Sequence, residues 1–176
     1  LMESLLDIQE LRMGKKILNL ESCQIGNLIE GVIEELKPVA EQKGLYLRFE
    51  PAVGPIPVVK LDKKRMREAI LNLVDNAIKY TNKGGVEIKL KIKNLKLEIA
   101  VIDTGIGMEK EEIDYFLQGK LFERGQEAKK LYGPGRGIGL SIVIEFIKAH
   151  SGKIWAESEG WGKGTTFRIE LPVNKE

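Results

Sequence analysis

Cysteine, histidine and long apolar segments are scarce in this chain of 176 residues. Cys23 is its only cysteine and His150 its only histidine. These counts exclude an internal disulfide and a metal site built from several cysteines, and they are typical of a reducing compartment. No run of 18 or more apolar residues occurs, and the N-terminus lacks the layout of a signal peptide. We therefore expect a cytoplasmic location without direct membrane contact by this segment, any membrane anchor of a full-length protein lying outside it.

Charge of one sign is also missing. The chain carries 28 basic and 26 acidic side chains, a net charge of +2, and the lysines and arginines are scattered along it. Nucleic-acid binding is therefore not expected. Hydrophobic residues make up 43% of the chain, enough for one core. The sequence thus predicts one domain with a short extension.

The extension is the N-terminal segment, where apolar residues recur at near-heptad spacing. This spacing predicts an amphipathic helix over residues 1 to about 13, with no obvious partner in the chain. We expect it to continue from a larger element. The apolar positions are Leu1, Leu5, Ile8, Leu11 and Leu18.

Helical and strand patterns alternate through the remaining sequence, which indicates a two-layer α/β arrangement. A helix is expected from an N-cap at Asn27, with Leu28, Val32, Leu36 and Val39 on one face, to a stop at Gly44, and another after an N-cap at Asp62. The segment 18–21 is interpreted as an exit from the N-terminal helix. Further helices are predicted at 109–117 and 138–149, strands at 45–49, 58–61, 86–93, 96–102, 153–157 and 165–171, and a long mobile loop at about 118–135.

One predicted helix carries a polar stripe. Asn72, Asn76 and Tyr80 are spaced by four, and Lys79 follows Asn76 by three, so their side chains emerge on one side of the helix. A carboxamide oxygen can ligate Mg²⁺ or orient phosphate oxygens without repelling them, and a lysine can pair with a phosphate. The alternative is that the two asparagines only satisfy neighbouring backbone groups.

Two glycine-containing segments follow. Asp103 ends an apolar strand, where its carboxylate can accept a hydrogen bond from the amino group of adenine, and Gly105 and Gly107 let the backbone approach the base. A simple turn with a capping aspartate is the alternative. Glycines then alternate from 133 to 139 before an apolar helix, a layout that frees N–H groups for phosphate. A flexible glycine hinge remains compatible with it.

Four segments together resemble the N, G1, F and G2 boxes of the ATP-binding catalytic domain of sensor histidine kinases. They are residues 72–80, 103–107, 121–124 and 135–140. This resemblance implies the Bergerat, or GHKL, fold: a two-layer α/β sandwich whose mixed, mostly antiparallel sheet packs on three main helices after a short helical tail. It assigns residues 1–16 to the end of the second helix of a dimerisation hairpin and residues 17–176 to the catalytic domain, with a lid at about 118–135.

The resemblance also implies roles for particular residues. Asn76, with Asn72 beside it, would ligate Mg²⁺, and Asn72, Lys79 and Arg124 would act in catalysis. The expected contacts to ATP come from all of the boxes and from the last strand. They are Asn76, Lys79, Tyr80, Asp103, Gly105, Ile106, Gly107, Gly135, Arg136, Gly137, Ile138, Gly139, Leu140 and Thr165.

The implied activity is transfer of the γ-phosphoryl group of Mg-ATP to a histidine on the dimerisation domain of a homodimer, for relay to a response-regulator aspartate. His150 is expected to be a structural helix-end residue, so we predict no autophosphorylation by this chain alone. Relatives that hydrolyse ATP typically have a glutamate as general base where this chain has Asn72. A GHKL-type nucleotide-binding module, an ATPase or a serine kinase remains the alternative.

Overall fold

The computed structural model describes residues 18–117 and 138–173, which form a sheet with helices packed on one side. The predicted lid and the predicted N-terminal helix lie outside these residues. In chain order the elements are β1 (Glu21–Cys23), α1 (Ile25–Gln42), β2 (Tyr46–Glu50), β3 (Val59–Leu61), α2 (Lys63–Tyr80), β4 (Gly85–Lys93), β5 (Lys96–Asp103), α3 (Lys110–Leu117), α4 (Ile138–Ala149), β6 (Lys153–Glu157) and β7 (Thr166–Pro172).

The main sheet has five strands in the order β2-β4-β5-β7-β6. Strand β2 runs parallel to β4, and the other three neighbouring pairs are antiparallel. The predicted mixed, mostly antiparallel α/β sandwich is therefore confirmed. Because β2 and β4 are parallel, the chain must cross over between them, and α2 lies in that crossover.

The inner face of the sheet is apolar because side chains alternate along each strand. Ile88 of β4 pairs with Val101 of β5, and Val101 pairs with Phe167 of β7, so all three lie on the same face. These side chains are buried with apolar residues of the three long helices, including Ile29, Ile70, Leu73, Val143 and Phe146. Burying an aliphatic side chain of this kind contributes about 1.5–3 kcal/mol.

The outer face of the sheet is charged. Arg168 of β7 bonds Glu98 at 2.7 Å and Glu157 at 3.1 Å, and thus bridges three strands. Lys89 of β4 lies 2.6 Å from Glu50 and 3.2 Å from Glu87. These half-exposed ion pairs show that, among residues 18–117 and 138–173, no second layer of helices covers this part of the sheet.

Helix α1 begins earlier than the sequence predicted. Its N-cap is Gln24, which makes no side-chain capping bond, and the predicted cap Asn27 lies inside the helix. Ile25 is fully buried, so burial of the first helical residue outweighs the usual preference for a capping side chain. The predicted face was also partly wrong, since Leu28 is only half-buried and Val39 is 43% exposed. The buried stripe is Ile25, Ile29, Val32, Leu36 and Ala40.

Helix α2, which carries the polar stripe, is tied down at its start. Asp62 caps it as predicted: its side chain accepts hydrogen bonds from the backbone N–H groups of Arg65 and Asn19, both at 3.1 Å. The backbone N–H of Asp62 donates to Nε2 of His150, at 2.9 Å. The first turn of α2 is therefore joined to the end of α4.

The other end of α2 is capped by a lysine. Nζ of Lys43, just after α1, donates to the carbonyl oxygens of Ile78 at 2.7 Å and Lys79 at 3.1 Å. A cation at this position satisfies carbonyl groups that have no partner within the helix and interacts favourably with the helix dipole. Both termini of α2 are thus fixed by other parts of the fold.

Strand β1 was missed by the sequence pattern, which was interpreted as an exit from a helix. Glu21–Cys23 pairs antiparallel with Val59–Leu61 as a separate two-stranded sheet. Only Cys23 of the three residues is buried, so no alternation was available to indicate a strand.

Among the helices of residues 18–117 and 138–173, none has the length and low polarity that crossing a bilayer requires.

Candidate functional site

The polar stripe of α2 meets the start of α4. Asn72 and Asn76 are half-buried and Lys79 is exposed. Nδ2 of Asn72 donates to the carbonyl oxygen of Glu68 at 2.9 Å, which orients the carboxamide. A Cβ added to Gly139 would lie 2.9 Å from Oδ1 of Asn72 and 3.8 Å from Nδ2 of Asn76. The structure thus brings Asn72, Asn76 and Gly139 together, and only glycine fits at position 139 without a shift.

Asn76 differs from Asn72 in its bonding. Its carboxamide makes no hydrogen bond to any group in the described part of the chain. A half-buried amide with unused capacity is suited to a polar ligand. Its neutral oxygen is also of the kind that Mg²⁺ accepts, so the residues present fit that ion.

Asp103 ends β5 on the inner face of the sheet and is 8% exposed. Its Oδ1 accepts hydrogen bonds from the backbone N–H groups of Gly105, at 2.8 Å, and Thr165, at 3.2 Å. Its own N–H donates to the carbonyl oxygen of Thr165 at 2.9 Å. Hydrogen bonds of this kind offset the cost of burying a carboxylate and fix its direction.

Two glycines of the loop after Asp103 are required by lack of space. A Cβ on Gly105 would lie 2.5 Å from the carbonyl oxygen of Tyr80 and 2.8 Å from Oδ1 of Asp103. A Cβ on Gly107, which has φ +75°, would overlap the carbonyl oxygen of Gly160. The first contact is a matter of close packing, whereas the second adds a left-handed backbone conformation.

The loop 103–107 is bonded directly to the end of α2. The N–H of Ile106 donates to the carbonyl oxygen of Tyr80 at 3.1 Å. Nζ of Lys79 lies 5.5 Å from the centre of the Tyr80 ring, within the range of a cation–π contact. Two segments that are far apart in sequence therefore meet as one surface.

A third segment, residues 158–165 between β6 and β7, completes this surface and was not assigned a role from the sequence, apart from Thr165. Gly162 N–H donates to the carbonyl oxygen of Ile106 at 2.7 Å, and Gly164 N–H donates to that of Gly105 at 3.1 Å. The alternating glycines at 160, 162 and 164, all with positive φ, are the signal that indicates a shaped turn.

Several expected site residues lie outside the described residues: Arg124, Gly135, Arg136 and Gly137. Ile138 begins α4. Leu140, in the same turn of that helix, is 9% exposed and belongs to the core.

His150 is fully engaged in structural bonds. Its Nδ1 pairs with the carbonyl oxygen of Phe146 at 2.7 Å, and its Nε2 accepts from the N–H of Asp62. Burial lowers the pKa of His150, while the bond to Phe146 and the nearby Asp62 act in the opposite direction. This pattern requires the neutral ring with its proton on Nδ1. It gives the side chain the role of joining two helices.

Known proteins share both the sequence and the fold. Residues 61–175 match the family described as histidine kinase-, DNA gyrase B- and HSP90-like ATPase. The adaptive-response sensory kinase SasA of Synechococcus sp. (strain JA-3-3Ab) is 40% identical over 154 residues, which are 85% of this chain and 39% of SasA. The autoinducer 2 sensor kinase/phosphatase LuxQ of Vibrio cholerae is 28% identical over 98% of this chain and 20% of its own length. The chain therefore belongs to this ATPase family.

Solved structures share the fold of this chain. Full-length ShkA in complex with AMPPNP is 26% identical, with a TM-score of 0.78 over 98% of this chain and 36% of ShkA. The catalytic domain of the histidine kinase ThkA has the same fold, with 24% identity and a TM-score of 0.73 over 89% of this chain and 97% of that domain. Taken with the family match and the 40% identity to the sensory kinase SasA, the chain corresponds to the ATP-binding catalytic domain of sensor histidine kinases. It spans about two fifths of the length of SasA, at 39%.

Proposed function

We propose that this domain binds Mg-ATP and transfers its γ-phosphoryl group to a histidine on a separate dimerisation domain, for relay to an aspartate of a response regulator. ATP binding follows from the family. The use of Mg²⁺, the histidine acceptor and the partner proteins are what we propose beyond ATP binding. The observation that carries it is the carboxamide of Asn72, one helical turn before Asn76, where a hydrolytic relative would need a carboxylate.

The base is proposed to lie against the loop 103–107. The carboxylate of Asp103 would accept a hydrogen bond from the amino group of adenine. Guanine has a carbonyl oxygen at the same position, which cannot donate that bond. Support comes from the burial of Asp103 and from the two N–H groups that hold Oδ1. Ile106 and Met108 are half-buried and would supply apolar contacts beside it.

The phosphates are proposed to lie along the polar stripe of α2 and the first turn of α4. Mg²⁺, when bound, would neutralise phosphate charge, and Asn76 with Asn72 would hold it. Lys79 would pair with a phosphate oxygen, and the N–H groups of residues 135–140 would cradle the chain of phosphates. Arg124 or Arg136 is proposed to neutralise charge on the γ-phosphate.

Transfer is favoured over hydrolysis because no general base stands at position 72. Nδ2 of Asn72 already donates to the carbonyl oxygen of Glu68, and an amide cannot take a proton from water. The domain's contribution would then be to position ATP for in-line attack by an incoming imidazole. His150 is unsuitable as that acceptor, because both ring nitrogens are engaged in the fold.

The proposed partners follow from the same assignment. Residues 1–16 would end the hairpin's second helix, residues 17–176 would be the catalytic domain, and the full-length protein would be a homodimer acting in the cytoplasm. ThkA, a fold neighbour at 24% identity and a TM-score of 0.70, has been solved in complex with the response regulator TrrA. A response regulator is accordingly the downstream partner that we propose here.

A transfer assay with two separate polypeptides tests this function. The chain would be mixed with γ-labelled ATP, Mg²⁺ and the hairpin domain encoded upstream in the same reading frame. We expect an acid-labile label on the hairpin, none when its acceptor histidine is replaced by glutamine, and none on this chain incubated alone. ATP binding without transfer would instead support a regulatory nucleotide-binding module, and steady release of phosphate without labelling would support an ATPase.

A further inference from the structure

Ser158, at the start of the segment 158–165, uses its full hydrogen-bonding capacity. Its Oγ accepts from the N–H of Met108 at 3.0 Å and from the N–H of Gly160 at 3.2 Å. Its hydroxyl donates to the carbonyl oxygen of Gly164 at 2.7 Å, with a longer alternative of 3.5 Å to the carbonyl oxygen of Gly160. A serine hydroxyl has one proton and two lone pairs. Ser158 therefore has no capacity left for a ligand.

The three partners of Ser158 belong to different parts of the surface around Asp103. Met108 directly follows the loop 103–107, whereas Gly160 and Gly164 belong to the turn that packs on it. The contact between loop and turn is close, because a Cβ on Gly107 would overlap the carbonyl oxygen of Gly160 and lie 3.2 Å from Oγ of Ser158. The hydroxyl of Ser158 thus adds a side-chain link to the backbone hydrogen bonds, from Gly162 to Ile106 and from Gly164 to Gly105, that hold the turn against the loop.

The same turn carries the group that orients Asp103. The N–H of Thr165 donates to Oδ1 of Asp103. Thr165 directly follows Gly164, whose carbonyl oxygen accepts a hydrogen bond from the hydroxyl of Ser158. A Cβ on Gly164 would overlap the carbonyl oxygen of Asp103. A shift of the turn would therefore move the donor that fixes the carboxylate.

We propose that Ser158 is a positioning residue for base recognition, which acts by docking the turn 158–165 onto the loop 103–107 and so fixing the direction of the Asp103 carboxylate. The inference rests on the proposed role of Asp103 in recognising adenine. Ser158 itself would touch neither the base nor the phosphates. Its loss should consequently weaken discrimination between adenine and guanine, and not only the stability of the domain.

Calorimetric titration of the 176-residue chain with ADP and with GDP, in the presence of Mg²⁺, tests this role. We expect Ser158→Ala to lower the affinity for ADP by about tenfold, as expected when several hydrogen bonds are loosened together, and to change the affinity for GDP less. Ser158→Thr keeps the hydroxyl and should restore the preference for ADP. Ser22→Ala, a hydroxyl deletion on the exposed part of β1, is the matched control and should leave both affinities unchanged.

The outcomes separate this inference from the function on which it rests. If the unaltered chain binds neither nucleotide, or binds both equally, the proposed base site is wrong. If the unaltered chain prefers ADP and Ser158→Ala keeps that preference, or loses ADP and GDP affinity by the same factor, the role of Ser158 is wrong. If Ser158→Ala does not fold, Ser158→Cys replaces it, because a thiol is a weaker hydrogen-bonding group than a hydroxyl. A preference of Ser158→Cys for ADP over GDP equal to that of Ser158→Thr would then overturn the proposal.

Discussion

The two ends of the candidate site are built differently. Around Asp103, the loop 103–107 is held by hydrogen bonds within the protein. Oδ1 of Asp103 accepts from the N–H groups of Gly105 and Thr165, and the N–H of Ile106 donates to the end of α2. Along the polar stripe, Asn76 makes no such bond within the described residues, and Lys79 is exposed, with its Nζ near the Tyr80 ring. The base end is thus formed in advance, whereas the phosphate end holds groups whose partners a ligand would supply.

The two ends should therefore contribute to nucleotide affinity in different ways. A preformed surface loses little conformational freedom on binding, so its selectivity depends on exact spacing of the backbone. An exposed lysine loses side-chain entropy when it is ordered and interacts through a screened charge. Substitutions at the base end should therefore have large effects, and those at the phosphate end smaller, ion-dependent ones.

The largest loss of ADP affinity is expected from Gly107→Ala, with Gly162→Ala as the matched control variant. Both glycines have a similar φ, +75° and +76°, but an added Cβ overlaps the carbonyl oxygen of Gly160 in the first and meets nothing within 4 Å in the second. Gly162→Ala should cost only the backbone strain, about 1 kcal/mol. Gly107→Ala should in addition displace the loop and lower ADP affinity at least about a hundredfold. Equal losses in calorimetry would show that spacing is unimportant here.

The second-largest loss of ADP affinity is expected from Asp103→Asn. Asparagine can keep Oδ1 as the acceptor for Gly105 and Thr165, so the loop should remain folded, but it replaces the second oxygen with a donor. We expect ADP affinity to fall by roughly 30- to 100-fold and the preference over GDP to disappear, since a hydrogen bond to a charged group is worth about 1.5–3 kcal/mol. Parallel titrations with the two nucleotides measure this. An unchanged preference would remove Asp103 from base recognition.

At the phosphate end, Asn76→Asp should weaken binding of Mg-ATP by about tenfold, because it adds a negative charge among the phosphates. Adenosine, which lacks phosphates, should bind equally well to the variant. Asp75→Asn, at the adjacent exposed position, changes charge in the opposite direction and should have little effect. A loss of adenosine binding in Asn76→Asp would contradict the division between the two ends.

The smallest effect concerns stability. Burial lowers the pKa of His150 in the folded chain below its ordinary value of 6.5. As the pH falls through about 6.5, the unfolded chain gains a proton that the folded chain resists, so the free energy of unfolding decreases until the folded pKa is reached; above 6.5 both forms are neutral. We expect the fall in Tm between about pH 7.5 and 5.5 to be about 2–4 °C smaller in His150→Gln. Identical pH profiles would exclude this linkage.

Much of the fold could be predicted from local signals. The capping aspartate at position 62 and the alternation in β4 and β5 were sufficient for α2 and for the hairpin. Strand β1 and the start of α1 were not predictable in this way. The pairing of Glu21 with Leu61 and the burial of Ile25 depend on residues distant in sequence, which override local preference.

The positions of the candidate side chains on their helix and strand could be predicted from the sequence, whereas the contacts that hold them could not. The four-residue spacing of Asn72 and Asn76 and the position of Asp103 at a strand end can be inferred from the sequence. That Ser158 would bond to Met108, fifty positions away, follows only from the antiparallel pairing of β6 and β7 beside β5. The glycines at 160, 162 and 164 indicate a turn, but they do not indicate which backbone groups the turn contacts.

The parallel strand β2 has a practical consequence for how the domain can be shortened. The family match begins at residue 61, after β2 has ended. A polypeptide trimmed to residues 61–175 would leave residues 85–89 of β4, which pair with Tyr46–Glu50, without their neighbouring strand. The exposed N–H and C=O groups would present a bare sheet margin to other molecules, and such a fragment should self-associate during purification.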